Sequence, residues 1–142
     1  MLFKDDLIGF NTVRTARKIQ RLLNLNLKPY KVTSEQWGVL KRLYENDHVN
    51  QKDLSERADK DQATLTKILD LLEKQELVRR ESNPDDRRAF LICITEKGKR
   101  LVEELIPLVE DIFTKVTGSI KPEQLEVYVS VLNQIQENIV NL

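Results

Sequence analysis

The sequence has little of what enzymes and metal proteins are usually built from. It contains one cysteine, Cys93, and one histidine, His48. A lone cysteine cannot close a disulfide within the chain, which fits a reducing cytoplasm. One His and one Cys cannot supply a zinc set of the usual kind within one chain. No His-based nucleophile triad can be drawn with conviction, and the four glycines form no phosphate-cradling loop. Catalysis is therefore not expected, nor is a cofactor or metal. Four Gly and four Pro in 142 residues exclude collagen, linker and disordered compositions. No apolar run approaches the ~18 residues a membrane span requires. The opening MLFKDDLIGF places two acids where a signal peptide would be apolar, so secretion is not expected.

Net charge is missing as well, with 23 Lys and Arg against 23 Asp and Glu. That balance counts against a nucleic-acid binder, but its distribution is uneven. Residues 1–32 carry seven basic groups against two acids, residues 51–100 twelve against eleven, and residues 101–142 two against seven. The basic first segment and the acidic last one suit each other as packing partners. In the middle, any phosphate contact must come from local clusters such as Arg79-Arg80 and Arg87-Arg88.

What the chain does have is helical periodicity, clearest in Asp61 to Gln75. Leu65, Ile68, Leu69 and Leu72 recur at i, i+3, i+4 and i+7, one face of an α-helix. Asp61 is suited to cap it, its carboxylate accepting from unpaired N–H groups of the first turn. Ala63, Thr66, Lys67 and Lys74 project opposite the leucines, with Gln62 and Thr64 on the flanks. An amide, hydroxyls and a methyl are the groups that meet base edges in a major groove. Taken alone, however, this is an amphipathic helix with an ordinary wet face.

Its surroundings add the rest. Asp5 to about Leu27 reads as a first helix, broken at Lys28-Pro29-Tyr30-Lys31 because proline disfavours helix in the residue before it. Thr33-Ser34-Glu35-Gln36 is a capping-box pattern. It opens a second helix with Trp37, Leu40, Leu43 and Tyr44 expected in the core, ended by Asn46-Asp47-His48. Asn50 caps a short third helix, Gln51 to Ala58, with Leu54 and Ala58 inward. Only Asp59-Lys60 separates it from Asp61, so the pair is a helix-turn-helix. Leu77 to Ser82 and Ala89 to Ile94 are β-prone and flank Asn83–Arg88, a hairpin with a charged, turn-rich tip. Thr95 caps a long helix to about Thr117 that Pro107 should bend. After Gly118 and Pro122 comes a last helix, with Leu125, Val129, Leu132, Ile135, Gln136 and Ile139 on one stripe. The fold class expected is mainly α with a small β-hairpin wing.

Helix, helix-turn-helix, two-stranded wing and two further helices, in that order, resemble the MarR family of bacterial transcription regulators. VTSEQWGVLKRL is similar to the family's entry to its second helix, and LTKILDLLEKQELVRR to its recognition helix running into the wing. NPDDRRAFLICITEKG is similar to its most specific stretch, Asp-x-Arg (Asp86 and Arg88) followed by an apolar strand and Thr-x-x-Gly. The chain departs at Glu76, where the family usually has the glycine that lets a helix end in a left-handed residue. Glu76 must adopt that strained conformation or end the helix differently.

The resemblance implies one domain over 1–142: a winged helix-turn-helix lobe at 33–99, with dimerisation helices at 1–32 and 100–142. It implies a homodimer binding a pseudo-palindromic operator in double-stranded DNA, next to the bacterial nucleoid. Gln62, Ala63, Thr64, Thr66 and Lys67 would enter the major groove. Arg87 and Arg88 would reach the minor groove from the wing tip, with Asp86 orienting Arg88. Gln51 and Ser55 are candidate phosphate contacts. A repressor relieved by a small aromatic effector or an oxidative signal fits the resemblance, with Phe10, Tyr30, Trp37, Tyr44 and Phe113 as candidate cavity aromatics. Cys93 is expected to be an inert buried thiol, its neighbours being apolar. The other reading is a winged-helix adaptor that binds protein and not DNA.

Overall fold

A computed structural model describes residues 3–142. Residues 1 and 2, which open the stretch expected to dimerise, lie outside the described residues. The chain forms two compact units, one up to Pro107 and one from Leu108.

In the first unit a π-helical segment, Asp5–Phe10, leads into α1, Asn11–Leu27. A 3-10 turn at Lys28–Tyr30 then ends with Lys31 left-handed. α2, Ser34–Glu45, starts on the expected capping box. Thr33 Oγ1 accepts the Gln36 N–H at 3.1 Å, and Gln36 Oε1 accepts the Thr33 N–H at 2.9 Å. Asn50 and Asp61 cap α3, Gln51–Arg57, and α4, Gln62–Lys74. Between them Asp59 adopts positive φ, which makes the two-helix turn tight.

The core lies between α2, α3, α4 and the sheet: Trp37, Leu40, Leu43, Leu54, Leu65, Leu69, Leu72 and Ile92 are all buried. Every residue of the apolar stripe of α4 is among the buried set, so its opposite face is left to solvent. Tyr44 does not join this core. It is exposed, and its hydroxyl donates to Glu103 at 3.3 Å, while Val39 takes the buried place on α2. Ala58 is half-buried, and Ser55 is the residue of α3 buried beside Leu54.

The wing differs from its expected form in two ways. β2, Val78–Asn83, and β3, Asp86–Ile94, pair almost to the tip, where Asn83 opposes Asp86. Arg87 and Arg88 therefore belong to a strand and not to the turn, because only Pro84 and Asp85 are needed to reverse the chain. A third strand, β1, Val49–Asn50, pairs with β3 on its other side, giving the order β1-β3-β2. Two residues are too few to show a period-2 pattern.

Glu76 takes the strained option. Its φ is 61°, and it completes a Schellman motif: its N–H donates to Glu73 O and the Leu77 N–H donates to Leu72 O, each at 2.9 Å. Leu72 and Leu77 are both buried, the apolar contact positions of that motif. The Thr-x-x-Gly signature now has a physical reason too. Thr95 Oγ1 accepts the Gly98 N–H at 3.0 Å and donates to Glu76 O at 2.7 Å. A Cβ on Gly98 would collide with the Leu77 carbonyl and with Ile94.

α5, Glu96–Val116, runs uninterrupted through Pro107. In the second unit α6, Pro122–Val140, buries none of its residues. Leu125, Leu132 and Ile135 are half-covered, whereas Val127, Tyr128, Val129, Val131 and Ile139 are exposed. α1 and the segment before it likewise expose Leu7, Ile8, Phe10, Val13 and Leu25. Among the described residues no helix is long and apolar enough to cross a membrane.

Candidate nucleic-acid interface

The exposed face of α4 begins at its cap. Asp61 Oδ1 accepts the Thr64 N–H at 2.7 Å, and Thr64 Oγ1 donates to Asp61 Oδ2 at 3.0 Å. These bonds hold the Asp61 carboxyl below its usual range, the backbone N–H contributing most. They also tie Thr64, which is half-buried, so its hydroxyl serves the helix start. Thr66 Oγ1 donates to Gln62 O at 2.8 Å and accepts from Gln51 Nε2 at 2.7 Å. Gln51 thus bridges the two helices of the helix-turn-helix. Gln62, Ala63 and Lys67 are exposed. Lys67 makes no ion pair among the described residues.

Ser55, expected as a phosphate contact, is corrected by its burial: its hydroxyl donates to Lys52 O at 2.7 Å. The exposed cation of α3's first turn is Lys52, which the sequence reading passed over although it stands beside Gln51.

The four arginines of the wing divide in two. Arg79 pairs with Glu81 at 2.7 Å, which raises the guanidinium's pKa and lowers that of the carboxyl. Arg80 reaches back to α4, contacting Asp70 at 2.8 Å and Glu73 at 3.2 Å. Arg87 and Arg88 are exposed, and among the described residues their guanidiniums form no ion pair or hydrogen bond. Asp86 contacts Arg88 through the main chain, its Oδ1 accepting the Arg88 N–H at 2.9 Å.

Helix-turn-helix and wing share one concavity of about 400 Å³, whose lining includes Gln51, Lys52, Gln62, Asn83, Asp86 and Arg88. Residues far apart in sequence thus meet on one face, with amide donors and cations predominating.

A larger cavity, about 690 Å³, lies elsewhere in the first unit, lined by Tyr30, Lys31, Gln75, Leu77, Lys97, Arg100, Leu101 and Glu104. Of the aromatics expected at an effector cavity only Tyr30 lines it. Phe10 is exposed on the first helical segment, Trp37 belongs to the core, Tyr44 is turned to Glu103, and Phe113 lies in the second unit. In this cavity Gln75 donates to Lys31 O at 2.7 Å and Lys97 donates to Gln75 O at 2.9 Å. Gln75 Oε1 is buried with no hydrogen-bond partner among the described residues.

Cys93 is fully buried in β3, and its thiol is pushed up to about 11, first by burial and then by the Glu81 and Asp47 carboxylates. The structure also brings the Asp47, His48 and Cys93 donor atoms within 4.8 Å of one another. The sequence reading missed this grouping, since 45 positions separate His48 from Cys93 and long-range contacts, the β1–β3 pairing and the Ile94 N–H bond to Asp47, bring them together.

Comparison with known proteins agrees with this architecture. The sequence profile of the MarR family matches residues 32–90, from the approach to α2 into the first half of β3. A protein of unknown function from Listeria innocua is 33% identical, covering 94% of this chain and 93% of its own, with a TM-score of 0.70. Wild-type MarR from E. coli in its apo form is 26% identical, covering 90% and 96%, with a TM-score of 0.75. MepR from S. aureus, in a complex with DNA, is 20% identical over 92% and 97%, with a TM-score of 0.86. Motifs in order, the winged lobe and these matches together place the chain: it belongs to the MarR family of winged helix-turn-helix transcriptional regulators.

Proposed function

We propose that the protein binds an operator in double-stranded DNA as a homodimer and represses transcription until a small molecule releases it. One observation carries the reading: α3, α4 and β3 present Gln51, Lys52, Gln62 and Arg88 around one open concavity, with Lys67 exposed on α4, while Arg79 and Arg80 are consumed internally. Residues 33–99 act as the DNA-binding lobe, with Gln62, Ala63 and Lys67 at base edges in the major groove. Thr64 and Thr66 shape the helix start and present methyl groups. Arg87 and Arg88 enter the minor groove, where a narrow A·T-rich stretch has enhanced negative potential. Gln51 and Lys52 meet phosphate.

Residues 1–32 and 100–142 supply the dimer. Exposed Phe10, Val13 and Leu25 on one terminal segment, and Val127, Val131 and Ile139 on the other, are apolar surface that a second copy would cover. Two-fold symmetry sets recognition helices about 34 Å apart, one turn of DNA.

The signal proposed is a small molecule with an anionic group beside an apolar or aromatic body. Lys31, Lys97 and Arg100 line the larger cavity with Tyr30, Leu77 and Leu101, and the orphaned Gln75 Oε1 calls for a donor. Cys93 is too deeply protonated to be a ready oxidant sensor.

The test is selection from a random duplex DNA library, with the retained fraction sequenced. An enriched pseudo-palindrome with half-sites about ten base pairs apart supports the proposal. Folded protein that enriches nothing overturns it in favour of an adaptor.

A further inference from the structure

At the root of the wing, three different metal-ligating side chains converge outside the DNA-binding face. Donor atoms of Asp47, His48 and Cys93 all lie within 4.8 Å of one another. A tetrahedral zinc ion with sulfur, nitrogen and oxygen ligands holds them about 3.5 Å apart. His48 Nδ1 and Asp47 Oδ2 are 3.2 Å apart already, and His48 is half-exposed, so its ring is free to adjust. The carboxylate is oriented in advance. Asp47 Oδ1 accepts the Ile94 N–H at 2.9 Å and the His48 N–H at 2.8 Å, leaving Oδ2 for the site.

We propose that Asp47, His48 and Cys93 form a binding site for a thiophilic divalent cation of the zinc class. Thiolate, imidazole and carboxylate together select such an ion over magnesium or calcium. Three protein ligands leave the fourth position for water. Binding releases the thiol proton to solvent, and the thiolate and Asp47 then neutralise the two positive charges. Two further charged neighbours, Arg79 and Glu81, are paired with each other at 2.7 Å. An ion there would bolt the end of α2 to β3, the strand that carries Arg88.

Cobalt(II) is the probe, added to the reduced, folded full chain. The site predicts about one equivalent per chain, a thiolate-to-cobalt charge-transfer band in the near ultraviolet and visible bands of tetrahedral intensity. Cys93→Ser should abolish the charge-transfer band. His48→Gln, an exposed change that leaves the core intact, should weaken cobalt and zinc binding at least about tenfold, since even outer partners of metal ligands cost that much. Wild-type protein without the thiolate band, or a His48→Gln variant that binds as tightly as wild type, overturns the site.

Discussion

Gln51 Nε2 donates to Thr66 Oγ1 at 2.7 Å and to Gln62 O at 3.3 Å, locking the first helix of the helix-turn-helix onto the second. Thr66 uses its own proton on Gln62 O, so the hydroxyl has no donor left for a base. In the proposed DNA complex its contribution would therefore be geometric. Gln51→Leu and Thr66→Val should each cost about 0.5–1 kcal/mol of stability. Their double mutant should cost less than the sum, because one bond is removed twice. Denaturant titration of the four proteins reads this directly, and simple additivity would show that the bridge carries nothing.

Two backbone positions should respond in opposite directions. Glu76 sits at φ 61° where glycine is the unstrained choice, so Glu76→Gly should stabilise by about 1 kcal/mol. Gly98 has the Leu77 carbonyl and Ile94 against it, so Gly98→Ala should destabilise by about 1–3 kcal/mol. Thermal unfolding midpoints of both variants check the pair.

The same two positions show what the sequence made legible. Helix faces and caps were readable because they depend on neighbours three or four residues away: Leu65, Ile68, Leu69 and Leu72, or Thr33 with Gln36. Glu76 was readable as a departure because its position follows from where α4 ends. Long-range features were not. Tyr44 fits the period of α2, but its hydroxyl is drawn outward to Glu103, 59 positions on. β1 exists only because β3 offers Leu91 and Ile92 as partners. The larger cavity draws Tyr30, Gln75 and Arg100 from three segments, and no local pattern announces such a convergence. Ser55 takes a buried place beside Leu54, a packing that no pattern within the short α3 announces.

Acid should weaken the start of α4. The Thr64 N–H and hydroxyl hold the Asp61 carboxyl below its ordinary range. A folded-state pKa below the unfolded one gives stability that is present above about pH 3.9. It is lost as pH falls through the folded value. Asp61→Asn keeps an acceptor oxygen but does not titrate. The stability difference between wild type and Asp61→Asn should thus be largest near neutrality and shrink below about pH 4. Thermal melts across that window provide the measurement, and a constant difference would mean the carboxylate is not the titrating cap.

Arg80 and Arg88 stand on adjacent strands of one wing, yet they should fail differently when truncated. Arg80 is held by Asp70 and Glu73 of α4, partly exposed pairs that solvent screens. Arg80→Ala should therefore lower stability by about 1 kcal/mol or less, through the angle between wing and helix. Among the described residues Arg88 makes no internal pair, so Arg88→Ala should leave stability unchanged. It should instead cost about 1–3 kcal/mol of operator affinity, and if its contact is mainly with phosphate the salt slope should fall by about one. Binding isotherms at several salt concentrations, run beside denaturant melts, separate the two arginines. An Arg88→Ala variant with wild-type affinity and slope would remove the wing from the interface.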